Sequence, residues 1–312
     1  MHNILKTIYN KFLLFRVPKR IRKNFIKTSL DYEDKLKSSL IKNYFDGPED
    51  IKDNDLKDHL YNRTLKARVL IVPWMSRTLE LKDKRILEVG CGTGSSSVAF
   101  CEQGAHVTGI DLDQGSLEVA RFRAELLNLD IKYKESSANQ IESLDDSFEI
   151  IIYYATLEHM TIEERIDSLR QAFRSLEPGG YLIIIEAPNR LWIEDTHTSE
   201  LPFFQWLPDD LAYLYSQKSP KETFRDNYLD KDYKYILDFL RRGRGVSYHE
   251  FELSFGNLKN INIVSSLNRI VYSGGLVNTL IYKKLYKAYL KKQKDIPSAY
   301  FEEYLDLIIK KV

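Results

Sequence analysis

The sequence predicts an α/β fold: a doubly wound parallel sheet with helices on both faces, preceded by a helical extension and interrupted by a cap insertion. Three observations lead there. Between residues 85 and 188, apolar runs of strand length alternate with stretches of helical periodicity, the order that winds a parallel sheet. A glycine-rich turn, ILEVGCGTGSSS at 86–97, joins the first of those strands to the first of those helices. The run SFEIIIYYAT at 147–156 is almost continuously apolar, as a strand buried on both faces has to be.

Composition bounds the possibilities. A chain of 312 residues suits one large domain with additions. Hydrophobic residues at 43% supply a core, and a net charge of +1 gives no global attraction to polyanions. The charge is uneven, because residues 1–30 hold eight Lys or Arg and no acid. Cys91 and Cys101 lack metal-binding spacing and are too few for a disulfide framework, which fits a reducing, cytoplasmic setting. No apolar run reaches the ~18–20 residues that span a bilayer, and the FLLF core near the N-terminus is too short for a signal peptide.

Taken in order, residues 4–17 carry Ile4, Ile8, Phe12 and Phe15 at helical spacing, and a basic run broken by Pro18 follows. FDGPEDIKDND at 45–55 reads as a linker, so residues 1–54 form a basic helical extension and 55–312 the main domain. Residues 56–79 are mostly helical in pattern. Strands are expected at 85–90, 106–111, 131–136, 147–156 and 181–188, and helices at 95–104, 115–129 and 161–176. Ser116 is a plausible cap for the second of these helices, and Thr161 with Glu164 has capping-box spacing for the third. Pro188 should end the fifth strand, since proline cannot continue a central ladder. The alternation then lapses over a cap insertion at about 189–245. It resumes with a helix capped by Ser247 and Glu250, a strand at 261–266, a basic helical insertion at about 270–298 and a last strand at 304–311.

The glycine turn lies where ligands of doubly wound sheets bind. It is no phosphate-gripping loop, because no Lys follows Gly94. It also fails the dinucleotide fingerprint of a nicotinamide-dependent oxidoreductase, because Ser95 takes the last glycine place and Gly94 comes one residue early. Glu88, on the strand before the turn, would repel a pyrophosphate and suits a ligand carrying an ammonium group.

These residues resemble the class I S-adenosylmethionine-dependent methyltransferases, closely over 85–186 and more loosely over 246–312. The resemblance implies a Rossmann-like seven-stranded sheet and S-adenosylmethionine as cofactor. It implies that Glu88, Gly90, Gly92 and Gly94 lie along the methionyl part, that Asp111 takes the ribose hydroxyls, and that Leu112 lies against adenine. Ser137 stands where the family often has Asp, leaving the Ala138 amide for adenine, and Tyr154 offers a backbone group to the methionyl end. LEHM at 157–160 and LEPGGYLII at 176–184 match two further family segments.

Methyl transfer to a hydroxyl benefits from a general base, and His is the usual choice near neutral pH. His159 follows the fourth strand, and His197 with Asp195 lies in the aromatic stretch after the fifth; Asp195 is expected to orient His197, and the stretch 187–250 to cap the carboxyl edge of the sheet with His197 reaching the reacting methyl. A loop-fixing hydrogen bond is the alternative for His159, and plain packing on the sheet the alternative for the aromatics. Some quinone O-methyltransferases carry a Glu-x-x-Glu-His metal cluster where this chain reads Ala155-x-x-Glu158-His159; with the first carboxylate missing, no catalytic metal is expected. Arg244 and His249 in RRGRGVSYHE are candidates for an anionic substrate group, with a solvated loop as the alternative.

Residues 187–250 also resemble methyltransferases encoded with surface-glycan genes, which implies a small-molecule, sugar or lipid-linked glycan hydroxyl as acceptor. The basic segments suit an anionic membrane surface or are solvated helix faces. No nucleic-acid module is present. The remaining functional alternative is a non-catalytic S-adenosylmethionine-binding regulatory partner, distinguishable by a plugged acceptor cleft.

Overall fold

The structure, a computed structural model, describes residues 30–45, 53–144, 147–226, 236–267, 278–293 and 296–312. The basic segment 1–29 and most of the linker therefore lie outside the described residues, as do parts of both insertions. Seven strands form one mixed sheet in the order β3-β2-β1-β4-β5-β7-β6. They are β1 (Arg85–Val89), β2 (His106–Asp111), β3 (Ile131–Glu135), β4 (Phe148–Tyr154), β5 (Leu176–Pro188), β6 (Asn262–Ser266) and β7 (Tyr304–Lys310). With helices on both faces, this is the α/β Rossmann-like architecture expected from the alternation. β1 pairs parallel with β2, and β2 with β3. One strand departs from the expected parallel sheet, because β7 runs antiparallel to both of its neighbours, β5 and β6. The strand–helix alternation that holds strands parallel lapses at Pro188, so no local pattern set its direction.

Packing divides the described residues into two units, the first running to Ala138 and taking in β4 up to Ile151, the second starting at Ile152 and taking in the segment from Asn139. In the first unit, α1 (Leu30–Asn43) buries Leu36 and Leu40 against Leu60 and Val119. The described part of the expected extension thus shares a core with the helix after β2. A helical run, α2 (residues 53–75), follows, with π-helical turns at Asp58–Asn62 and Ala67–Ile71. α3 (Ser95–Cys101) leaves the glycine turn, and α4 (Gln114–Leu126) follows β2. Asp113, not Ser116, caps α4: its carboxylate accepts the amides of Gly115 at 3.2 Å and Ser116 at 3.0 Å, and the Ser116 hydroxyl at 2.5 Å. Both residues are good caps; the acid comes first in the chain and takes the free amides.

In the second unit, α5 (Ile162–Ser175) starts with the expected Thr161–Glu164 capping box. β5 ends at Pro188, as expected, after a bulge between Ile184 and Ala187. The insertion carries short helices, α6 (Asp209–Tyr215), α7 (Glu222–Arg225) and α8 (Ile236–Arg241). They close a small core of their own from Leu201, Phe204, Ala212, Tyr213, Phe224 and Phe239. α9 (Tyr248–Phe255) has the expected Ser247–Glu250 box, and α10 (Asn278–Gln293) is the basic helix. Among the described residues no helix is long and apolar enough to cross a membrane.

Candidate active site

In the first unit the chain turns through Gly90, Gly92 and Gly94, all at positive φ. The carboxylate of Asp111, at the end of β2, accepts the Gly92 amide at 2.8 Å and the Asp113 amide at 3.0 Å. That pins the acid beside the turn, with lone pairs still available to hydroxyl donors. Leu112, the next residue, is 66% exposed, an apolar side chain left uncovered beside a fixed charge. The glycines divide by role. A Cβ on Gly92 meets nothing within 4 Å, whereas one on Gly94 would lie 2.5 Å from the Tyr133 hydroxyl and 2.9 Å from the Ala120 Cβ. Gly92 therefore leaves room for a ligand, and Gly94 lets α3 pack on α4 and β3.

Glu88 is fully buried, and its two oxygens accept the hydroxyls of Ser96 and Ser97. Burial outweighs those hydroxyls and pushes its carboxyl up to about 7. It clamps the turn onto α3. Residues unmarked by the sequence brace the turn from behind. Arg123, fully buried, donates to the carbonyls of Thr93 at 2.8 Å and His59 at 2.7 Å. His59 lies 3.2 Å from the Thr93 hydroxyl, and burial, with Arg63 and Arg123 nearby, lowers its pKa to about 3, so the ring is neutral. Ala138, half-buried, ends this unit beyond β3.

The second unit holds Tyr154 and the three other candidates. The Tyr154 carbonyl accepts the Thr156 hydroxyl at 3.0 Å, and its own hydroxyl lies 3.4 Å from Glu186. His159 and His197 come together, ring centroids 6.2 Å apart. Glu158 lies beside both, its Oε1 3.6 Å from His197 Nε2 and 3.9 Å from His159 Nε2. The Glu158 side chain is completely buried, and neither oxygen receives a hydrogen bond. Buried carboxylates ordinarily have donors, which sets Glu158 apart from the other buried acids of this unit. Burial raises it to about 7, with the His197 charge pulling it back down.

Hydrogen bonds fix the histidine tautomers. The Thr198 hydroxyl donates to the Gly243 carbonyl at 3.1 Å, so it accepts from His197 Nδ1 at 3.0 Å. The Arg241 carbonyl can only accept, so His159 Nδ1 donates to it at 2.7 Å. Nε2 is then the nitrogen of each ring that is left to take a proton, and it faces Glu158. Asp195 does not orient the His197 imidazole. Its carboxylate is buried under the loop, accepting the amides of His197, Thr198 and Ser199 and the Ser199 hydroxyl. Orienting falls to Thr198, whose role no sequence pattern marks. Glu158 was visible only as the remainder of a metal motif; its place between two imidazoles comes from the fold. Among the described residues, no three His, Cys, Asp or Glu side chains are arranged to hold a metal ion.

Arg244 is also turned inward, donating to the carbonyls of Phe204 at 3.1 Å and Leu207 at 2.6 Å and pairing with Asp209 at 3.2 Å. His249 is exposed and pairs with Glu252. Of the insertion's aromatics, Trp192 and Phe204 are core, whereas Phe203 is 46% and Trp206 42% exposed.

Residues 86–180, the stretch that holds the glycine turn and Asp111, match the family described as "Methyltransferase domain". Among curated proteins, a ubiquinone biosynthesis O-methyltransferase from Pseudomonas entomophila is 32% identical over 112 residues, 36% of this chain and 47% of that protein. Its counterpart from Pseudomonas aeruginosa is 31% identical over 116 residues, 37% of this chain and 49% of that protein. The chain thus spans about half the length of the curated relatives it matches. A solved magnesium protoporphyrin IX methyltransferase from Synechocystis, with SAH bound, is 21% identical at a TM-score of 0.38, covering 55% of this chain and 72% of that one.

Proposed function

We propose that this protein is an S-adenosylmethionine-dependent methyltransferase acting on a hydroxyl of a small molecule, with a sugar or lipid-linked glycan as the acceptor class. The observation that carries the donor assignment is the Asp111 carboxylate fixed by the Gly92 amide beside a position where an added Cβ meets open space. Gly90 and Gly92 would line the methionyl part, Asp111 the ribose hydroxyls, and Leu112 with the Ala138 amide the adenine; Gly94 and Glu88 shape the turn, and Tyr154 offers backbone. When bound, S-adenosylmethionine supplies a methyl group already activated on a sulfonium, so the protein's share is to position the acceptor and take its proton. His197 Nε2 accepts that proton, and the Glu158 carboxylate stabilises the imidazolium that results. The O-methyltransferases among the curated relatives support oxygen as the attacked atom. A buried acid facing two basic nitrogens favours catalysis over a non-catalytic binding role.

Calorimetric titration with S-adenosylmethionine tests the donor site. Asp111→Ala should weaken binding at least about tenfold, since a hydrogen bond to a charged group contributes roughly 1.5–3 kcal/mol. Gly92→Ala should also lose binding while keeping its circular-dichroism spectrum, its backbone strain costing only about 1–2 kcal/mol. Wild-type affinity in both variants would show that the turn faces something else.

On α10, Leu285 and Tyr289 stay 64% and 57% exposed among lysines, which supports a peripheral contact with an anionic membrane surface. The protein is then expected to sediment with anionic vesicles at low salt and to be released by added salt; failure to sediment rules the contact out.

A further inference from the structure

A second feature of the second unit carries an inference independent of methyl transfer. A cavity of about 590 Å³ is lined by Arg190, Leu191, Trp206, Tyr248, Leu253 and Tyr286, among others. That volume lies within the range of small-molecule sites. Its walls keep Trp206 at 42% and Leu253 at 52% exposure, apolar surface that an ordinary core would cover. The Trp206 and Tyr286 rings lie 6.3 Å apart at 33°, and the Tyr286 hydroxyl is tied to the Leu191 carbonyl at 2.6 Å, so this wall is held in place.

Among the described residues no carboxylate compensates the charge of Arg190. Three guanidiniums, those of Arg165, Arg190 and Arg244, bear on one another electrostatically. Arg165 is met by Glu250 at 3.1 Å and Arg244 by Asp209 at 3.2 Å. The Glu250 carboxylate also lines the cavity, but its second oxygen is taken by the Ser247 amide and hydroxyl. Among the described residues the half-buried Arg190 guanidinium has no carboxylate partner and no hydrogen bond. Its backbone is clamped. The Arg190 amide donates to the Val246 carbonyl at 2.9 Å, and a Cβ on Gly245 would lie 2.7 Å from the Arg190 Cα. Next to it, the Asn189 side chain donates to the carbonyls of Tyr300 and Glu302, each at 2.7 Å. A guanidinium without a protein partner, carried on a clamped backbone and lining a cavity with aromatic surface, is available to pair with an anion.

We propose that this cavity binds an amphipathic small molecule whose apolar part lies against Trp206 and Tyr286 and whose single anionic group, a phosphate or a carboxylate, pairs with Arg190. The full-length protein is titrated with geranyl phosphate, geranic acid, geraniol and inorganic phosphate, followed by tryptophan fluorescence and calorimetry below micellar concentrations. At least one of the two anionic amphiphiles should bind at least about tenfold tighter than geraniol, and inorganic phosphate alone should bind weakly. Which one does so identifies the head group. Arg190→Gln should bring the anionic amphiphiles down to the level of geraniol, Arg190→Lys should keep part of the preference, and both should bind S-adenosylmethionine as wild type does. Equal affinity for geraniol and both anions, equally tight inorganic phosphate, or an unchanged Arg190→Gln overturns the proposal. The cofactor titration keeps that failure separate from a failure of the methyltransferase reading.

Discussion

Arg165→Leu will destabilise the second unit by about 3–5 kcal/mol, measured by urea unfolding followed through Trp192 and Trp206. The Arg165 side chain is 1% exposed, and its guanidinium donates to five acceptors: the carbonyls of Leu157, Glu158, Arg244 and Gly245 and the carboxylate of Glu250. Leucine fills much of the volume but leaves those acceptors dry and unpaired. Removing one partner of a buried ion pair has a penalty in this range, because the remaining charge stays buried without compensation. Arg165→Leu combined with Glu250→Leu should recover part of the loss, since both charges then disappear together. If the single variant unfolds like wild type, Arg165 is not the tie between the 157–159 turn and the 244–250 segment.

His197→Ala is expected to cut methyl transfer by roughly a hundredfold or more while leaving S-adenosylmethionine affinity unchanged. The same base assignment predicts a pH dependence. Glu158 is raised to about 7, mainly by burial, with His197, Arg165 and Glu186 as its charged neighbours and His159 also facing it. A carboxyl whose folded pKa is raised binds its proton more tightly in the native state. Its stability contribution is full below the ordinary value of 4.5 and is lost as pH rises through about 7. Turnover should change in the opposite sense, rising with pH as the carboxylate forms and can stabilise imidazolium. Glu158→Gln should flatten the turnover profile. It should reduce the stability loss without removing it, because Glu88 has the same sign and window. A turnover profile identical in wild type and Glu158→Gln would leave His197 acting alone; full activity in His197→Ala would move the base role to His159.

Much of the first unit was legible because its signals are local. The run from β1 through the glycine turn into α3 is one continuous stretch, and Asp111 closes the next strand, so periodicity and turn chemistry placed the turn and the acid beside it. The capping boxes at Thr161 and Ser247 were legible for the same reason, as each is settled within one helical turn. Even there, Asp113 displaced Ser116 as the cap, since two neighbouring residues competed for the same amides.

The alternation of strands and helices, the glycine turn, the acid after β2 and the end of β5 at Pro188 were determined by sequence alone, because backbone preference and burial follow from residue spacing along the chain. Tertiary structure alone decided that Gly94 serves packing while Gly92 leaves room, and that β7 runs antiparallel. It also set Glu158 between His159 and His197, turned Asp195 away from the imidazole, and left Arg190 without a counter-charge among the described residues. Those outcomes depend on which charges share a low-dielectric space and which donors reach them, and such distances are set only when segments far apart in the chain pack together.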